Sequence, residues 1–93
     1  GVRAVAHVAM QQHSDAERLA FETTVAAMDD VLQCFSVAGE SDYVLHLVAP
    51  DLSTLSKKVL QRLTQIRGVS SVRSSVVLEC IKSTTRLPLN HLA

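Results

Sequence analysis

The sequence predicts an α+β fold in which four antiparallel strands and two helices follow the order βαββαβ. Three observations carry this reading. Short Val-rich runs recur along the chain, two segments between them repeat apolar residues at three and four positions, and Gly, Pro or capping residues punctuate the ends. The 93 residues suit one domain, spanning 1–93. Hydrophobic residues make up 47%, enough for a core. A domain this small buries only about 60% of its unfolded surface, so association with a second copy is one way to gain stability.

Residues 2–11 (VRAVAHVAMQ) read as a strand. Ser14 and Glu17 then have the S-x-x-E spacing of a capping box, in which hydroxyl and carboxylate satisfy free N–H groups at a helix start. The helix behind it runs to about Met28, with Leu19, Phe21, Val25 and Met28 as its apolar stripe. Glu17, Arg18 and Glu22 are expected to face water. Residues 31–38 form a second strand, 39–42 a turn and 43–49 a third strand, together a hairpin. Pro50 ends it, and Asp51 or Ser53 caps a second helix. Leu52, Leu55, Val59, Leu63 and Ile66 form its stripe, with Lys57, Lys58, Gln61 and Arg62 on the other side. Gly68 follows as a C′ glycine. Residues 69–82 are expected as a fourth strand, and Pro88 keeps the tail out of a central strand position.

The βαββαβ order is that of the ferredoxin-like split βαβ fold. Right-handed crossovers give the strand order 4-1-3-2 with both helices on one face. The strands do not alternate between apolar and polar as a half-solvated sheet should. Tyr43, Leu45 and Leu47 oppose Val44, His46 and Val48, and Ala4, Ala6, Val8 and Met10 oppose Val5, His7 and Ala9. Two helices cover one face only. The other, with Val5, His7, Val44, His46 and Val48, is expected to pack against a second copy across a two-fold axis.

Nine Lys and Arg balance nine Asp and Glu, and aromatics are 3%. Neither long-range attraction to a phosphate backbone nor base stacking is expected of such a chain. No apolar run approaches the roughly 20 residues that span a bilayer, and no signal peptide is evident. With two cysteines and no disulfide framework, a cytoplasmic setting is expected. The chain opens on Gly1 without an initiator Met, as a fragment or processed chain does.

Gly39-Glu40-Ser41-Asp42-Tyr43-Val44-Leu45 resembles the G-D-x-D-Y-x-L turn of Lrp/AsnC transcriptional regulators, at the expected hairpin. Gly68-Val69 with Arg73-Ser74-Ser75-Val76-Val77-Leu78 is similar to that family's G-V-x-x-x-R-T-x-x-V stretch. Lys82 and Leu87-Pro88-Leu89 are similar to its terminal strand and tail. The resemblance spans essentially the whole chain. It implies a C-terminal effector-binding and oligomerisation module that dimerises through its sheet and assembles further, often to octamers. It implies an amino-acid effector in clefts lined by the hairpin and the start of the fourth strand. It also implies DNA binding only through a helix-turn-helix head absent from these residues. Glu40 replaces the family's usual Asp, Ser41 a frequent aromatic and Ser74 a frequent Thr.

On this reading the effector contacts are Gly39, Glu40, Ser41, Asp42, Tyr43, Arg73 and Ser74. A free amino acid needs donors for its carboxylate and acceptors for its ammonium. Gly39 lets backbone amides approach, Asp42 can accept from the ammonium, Ser74 can donate or accept, and Arg73 can pair with the carboxylate. Gly39 and Asp42 are equally suited to shaping the turn alone, Ser74 and Ser75 to being plain strand residues, and Arg73 to being a solvated or interface charge.

His7 and His46 share the non-core face of paired strands, but two ligands are too few for a structural zinc site, so no metal or cofactor is expected. Acid would charge both imidazoles, and association through this face is expected to differ between about pH 5.5 and pH 7.5. His13 and His91 read as surface residues. Cys34 and Cys80 fall at opposite sheet edges, too far apart for a disulfide, and are expected to be small buried hydrophobes. Dimeric ferredoxin-like barrel enzymes and ACT-type regulatory modules share the topology. The chain has no coherent triad, phosphate loop or metal set for catalysis, and its Gly39 and Leu87-Pro88-Leu89 patterns favour the Lrp/AsnC reading.

Overall fold

The computed structural model of the chain describes residues 1–12 and 14–85. The expectations for His13, His91 and the Leu87-Pro88-Leu89 tail lie outside these residues. The elements are β1 (Val2–Met10), α1 (Asp15–Ala26), β2 (Val31–Ser36), β3 (Tyr43–Ala49), a composite second helix and β4 (Val69–Val76). That helix, α2, is α-helical at Leu52–Thr54, π-helical at Leu55–Leu60 and α-helical again at Gln61–Thr64. The sheet is antiparallel with order β2-β3-β1-β4, the predicted 4-1-3-2 read from the other edge.

Alternation decides which side chains enter the core. Ala4, Ala6, Val8 and Met10 of β1 and Tyr43, Leu45, Leu47 and Ala49 of β3 are buried under Phe21 and Val25 of α1, Met28 beyond it, and Leu55, Val59 and Leu63 of α2. The last three recur every four residues. Four residues advance an α-helix about 40° past a full turn, so this stripe would drift around an α-helical surface. Ile66, three residues after Leu63 and half-buried against the same core, brings the stripe back onto the sheet.

Several local expectations are corrected. Ser14 caps α1, its Oγ accepting from Glu17 N at 3.4 Å. The return arm of the capping box does not form, because the Glu17 carboxylate packs beneath Gly68 instead. Gly68 has φ +92°, and a Cβ there would lie 2.8 Å from Glu17 Oε2, an oxygen buried without a hydrogen-bond partner. Leu19 is 66% exposed because it lies two residues before Phe21, about 200° around the helix from the core face. Leu52 is 58% exposed in the first turn of α2, before the helix reaches the sheet. Asp51 rather than Ser53 caps α2, its Oδ1 accepting from Thr54 N at 2.7 Å.

The fourth strand ends at Val76, short of the expected 82. Its partner runs out: Val76 pairs with Ala4, Val77 N still donates to Arg3 O at 2.8 Å, and β1 begins at Val2. Cys80 therefore lies beyond the strand. Cys34 and Cys80 are free and exposed, not buried. Cys34 belongs to an edge strand whose residues after Val31 are all exposed, so the core does not close over it.

Candidate functional site

The β2–β3 hairpin is built around Asp42. Val37 N donates to Asp42 O at 3.0 Å, which extends the ladder past the strand ends and leaves residues 38–41 as the tip. Gly39 has φ +137°, a region L side chains rarely adopt, and an added Cβ would meet nothing within 4 Å. Glycine is thus required here by backbone conformation, not by crowding. Gly39 and Glu40 are exposed, while Ser41 and Asp42 are half-buried.

Asp42 is tied to the sheet on every side. Its backbone N donates to Val8 O at 2.9 Å, and its Oδ2 accepts from Met10 N at 2.7 Å. Its Oδ1 lies 3.5 Å from Arg18 Nη1. Arg18 Nη2 donates to Ser36 Oγ at 3.2 Å, and its guanidinium carbon sits 5.0 Å from the Tyr43 ring centroid. One arginine from α1 therefore holds both stems of the hairpin, although the sequence reading gave it to solvent. No local pattern marks it, because its partners lie 18 and 24 residues away. The carboxylate expected to accept from an effector's ammonium is already engaged as an anchor of the loop.

Tyr43 faces inward from the same stem. Its ring stacks on Phe21 with centroids 4.6 Å apart, and its hydroxyl donates to Glu22 Oε2 at 2.5 Å. Burial, and then the Glu22 carboxylate that accepts its proton, push the phenol up to about 12, against the opposing pull of Arg18. Partial desolvation by the side chains beside it raises the thiol of the exposed Cys34, with the Glu22 carboxylate adding to it.

Arg73 and Ser74 do not join the hairpin within one chain. Arg73 is opposite His7, whose other neighbour is Val44, and Ser74 is opposite Ala6, whose other neighbour is Leu45. Two strand spacings, about 10 Å, separate them from β3. Being consecutive, they also point to opposite faces, Arg73 to the open face and Ser74 to the helix side.

The open face is continuous. Val5, His7, Val44, His46 and Val48 lie on it by register, with Val5 opposite His46 and His7 opposite Val44, so the two imidazoles are diagonal neighbours. Phe35, opposite Val44 and 49% exposed, extends it across the edge strand. At the other end Leu32, Val77 and Ile81 line a cavity of about 490 Å³ with Arg3, His46 and Lys82. Among the described residues, no group of three or more His, Cys, Asp or Glu is placed to hold a metal ion, and no helix is long and apolar enough to cross a membrane.

A ferredoxin-like sheet with helices on one face, an opposite face of valines interspersed with His7, His46 and Arg73, and a polar loop pinned at its rim describes a binding module. Residues 3–87 match the family described as the Lrp/AsnC ligand binding domain, and the chain belongs to that family. It is 34% identical over 67 residues to the leucine-responsive regulatory protein of Escherichia coli K12, covering 72% of this chain and 41% of that protein. A transcriptional regulator from Neisseria meningitidis, solved in complex with L-Met, superposes with a TM-score of 0.87 and is 39% identical, covering all of this chain and 60% of that one. A feast or famine regulatory protein from Mycobacterium tuberculosis, complexed with L-methionine, gives a TM-score of 0.72 at 25% identity, covering 92% of this chain and 56% of that one. The chain thus spans about half the length of these relatives. They are regulators of gene expression and not enzymes, which sets aside the catalytic alternative.

Proposed function

We propose that residues 1–93 act as the effector-sensing and assembly unit of a larger cytoplasmic transcriptional regulator, with an amino acid, methionine first, as the effector. The observation that carries this reading is the membership in a ligand-binding family together with two similar structures that hold L-Met. The tip of the Gly39–Tyr43 hairpin, from Gly39 to Ser41, supplies backbone amides for the effector's carboxylate, since the Asp42 amide is given to Val8 O. Because Arg73 and Ser74 stand about two strands away, a neighbouring copy completes the cleft around them. Copies pair through Val5, His7, Val44, His46 and Val48 and assemble further, to an octamer in the fullest form. DNA is bound through a helix-turn-helix head that lies outside these residues. Val5, Val44, Val48 and Phe35, gathered on the sheet face that no helix covers, support the pairing.

A thermal-shift screen of the proteinogenic amino acids tests the effector. A ligand present at about 100 times its Kd adds about 2.7 kcal/mol. For a domain of this size that is a rise of roughly 10–20 °C. L-Met is expected to give the largest shift, with leucine as its first competitor. No shift with any amino acid would leave an assembly module without an amino-acid effector.

A further inference from the structure

The neutrality of the chain hides a segregation of charge. Residues 15–51 carry eight of the nine acids and one of the nine Lys and Arg, whereas 52–67 carry Lys57, Lys58, Arg62 and Arg67 and no acid. Much of the acidic side is engaged internally. Asp42 holds Met10 N, Glu22 accepts from Tyr43, Asp51 caps α2, and Glu17 packs beneath Gly68. The basic side is exposed. Lys57, Lys58, Gln61, Arg62 and Gln65 line, with Asp30, an open concavity of about 410 Å³ along the outer side of α2. Asp30 is the acid in that lining, 4.0 Å from Arg62 Nη1, and the Arg62 side chain remains 57% exposed.

These five side chains, four on α2 and Gln65 just past its end, all carry N–H donors, and three are cations. The three cations lie between residues 57 and 62, a rise of roughly 7 Å at no more than about 1.5 Å per residue, and so about two phosphate steps. Phosphates along one DNA strand advance about 3.4 Å each, so the row matches about three of them. We infer that this face of α2 docks the phosphate backbone of duplex DNA without reading its sequence. The inference rests on the transcription-regulator reading, which brings DNA close to the module. It departs from the expectation set by net charge, because a phosphate backbone meets one face and not the chain average. A second copy fits this face less well, since so many of its acids are already held in internal contacts.

Neutralising about three phosphates gives a salt slope near −2.7, a loss of affinity of about 40-fold between roughly 50 and 200 mM salt. The test is fluorescence anisotropy of the 93-residue chain on a labelled random-sequence duplex, with poly-glutamate as a competing polyanion. Binding is expected at low salt, with that slope, and is lost in the combined Lys57→Gln, Lys58→Gln, Arg62→Gln variant. Each single variant should lower the slope by about 0.9, a readout that does not depend on the triple variant folding. Lys57→Arg with Lys58→Arg should keep full binding. Absence of binding at low salt, unchanged slopes, or displacement by poly-glutamate as readily as by unlabelled duplex would each overturn the inference, the last assigning the face to an acidic protein. The L-Met shift, read on the same samples, should be unchanged in the triple variant. A wild-type chain that docks DNA but shows no L-Met shift overturns the effector reading alone.

Discussion

Asp42 can serve the loop or the ligand, and a single substitution separates the two roles. In Asp42→Ala, Met10 N loses the carboxylate that accepts from it at 2.7 Å. Leaving a half-buried donor without its partner costs about 1–3 kcal/mol. The Arg18 contact, between side chains 26% and 13% exposed, adds about 0–1 kcal/mol. The sum is roughly 1–4 kcal/mol, which lowers the melting temperature by roughly 5–30 °C in a domain of this size. Asp42→Asn keeps an acceptor oxygen for Met10 N and gives up only the ion pair, so it should cost less than about 1 kcal/mol. Thermal unfolding without any effector measures both variants. If Asp42→Ala melts with the wild type, the carboxylate is not a structural anchor, and its expected role towards the ammonium is restored.

Tyr43 is the one tyrosine, and there is no tryptophan, so phenolate absorbance reports it alone. Its midpoint should fall near 12, and Glu22→Gln should lower it; a midpoint at the ordinary value of about 10 in the folded protein contradicts its burial. Because the folded phenol is raised, its contribution to stability is complete below about pH 10 and is lost as pH rises through about 12. Asp51 behaves in the opposite sense: the Thr54 backbone N–H and then its side-chain hydroxyl, both donating at the helix start, hold its carboxyl below the usual range. Its stabilising effect is present above about pH 3.9 and is lost as pH falls through the folded value, so Asp51→Asn should remove that acid step from the helical circular dichroism. An identical acid transition in wild type and variant would count against the cap. Val44→Asp places a charge on each side of the proposed two-fold interface, and several kcal/mol of burial cost should weaken association by at least about a hundredfold. Sedimentation velocity reads this directly, and a variant that associates like the wild type moves the interface elsewhere.

The fold was legible because its signals are local. Alternation in β1 and β3, the caps at Ser14 and Asp51, and the breaks at Gly39 and Gly68 each need only a few neighbouring residues. The errors came where a distant partner decides. The end of β4 is set by where β1 begins, not by the Val-Val-Leu run that reads as strand. Leu19 and Leu52 are apolar but lie off the core face or ahead of it. Cys34 is exposed because β2 is an edge strand. In the candidate site the requirement for Gly39 was readable from residue type. The clasp of Arg18 on Asp42, Ser36 and Tyr43 was not, since it joins an α1 side chain to both stems of a hairpin. The basic face of α2 was visible as a list of residues, but that Asp30 is, among the described residues, the single acid in its lining became clear only from the structure.

The central claim is that this module binds an amino acid through the hairpin pinned by Asp42. Isothermal titration of L-Met into the 93-residue chain tests it most directly. The account predicts a saturable binding isotherm for the wild type that disappears in Gly39→Val, where a β-branched residue cannot hold φ +137°. A flat titration of the wild type, or an undiminished isotherm in the variant, would contradict it.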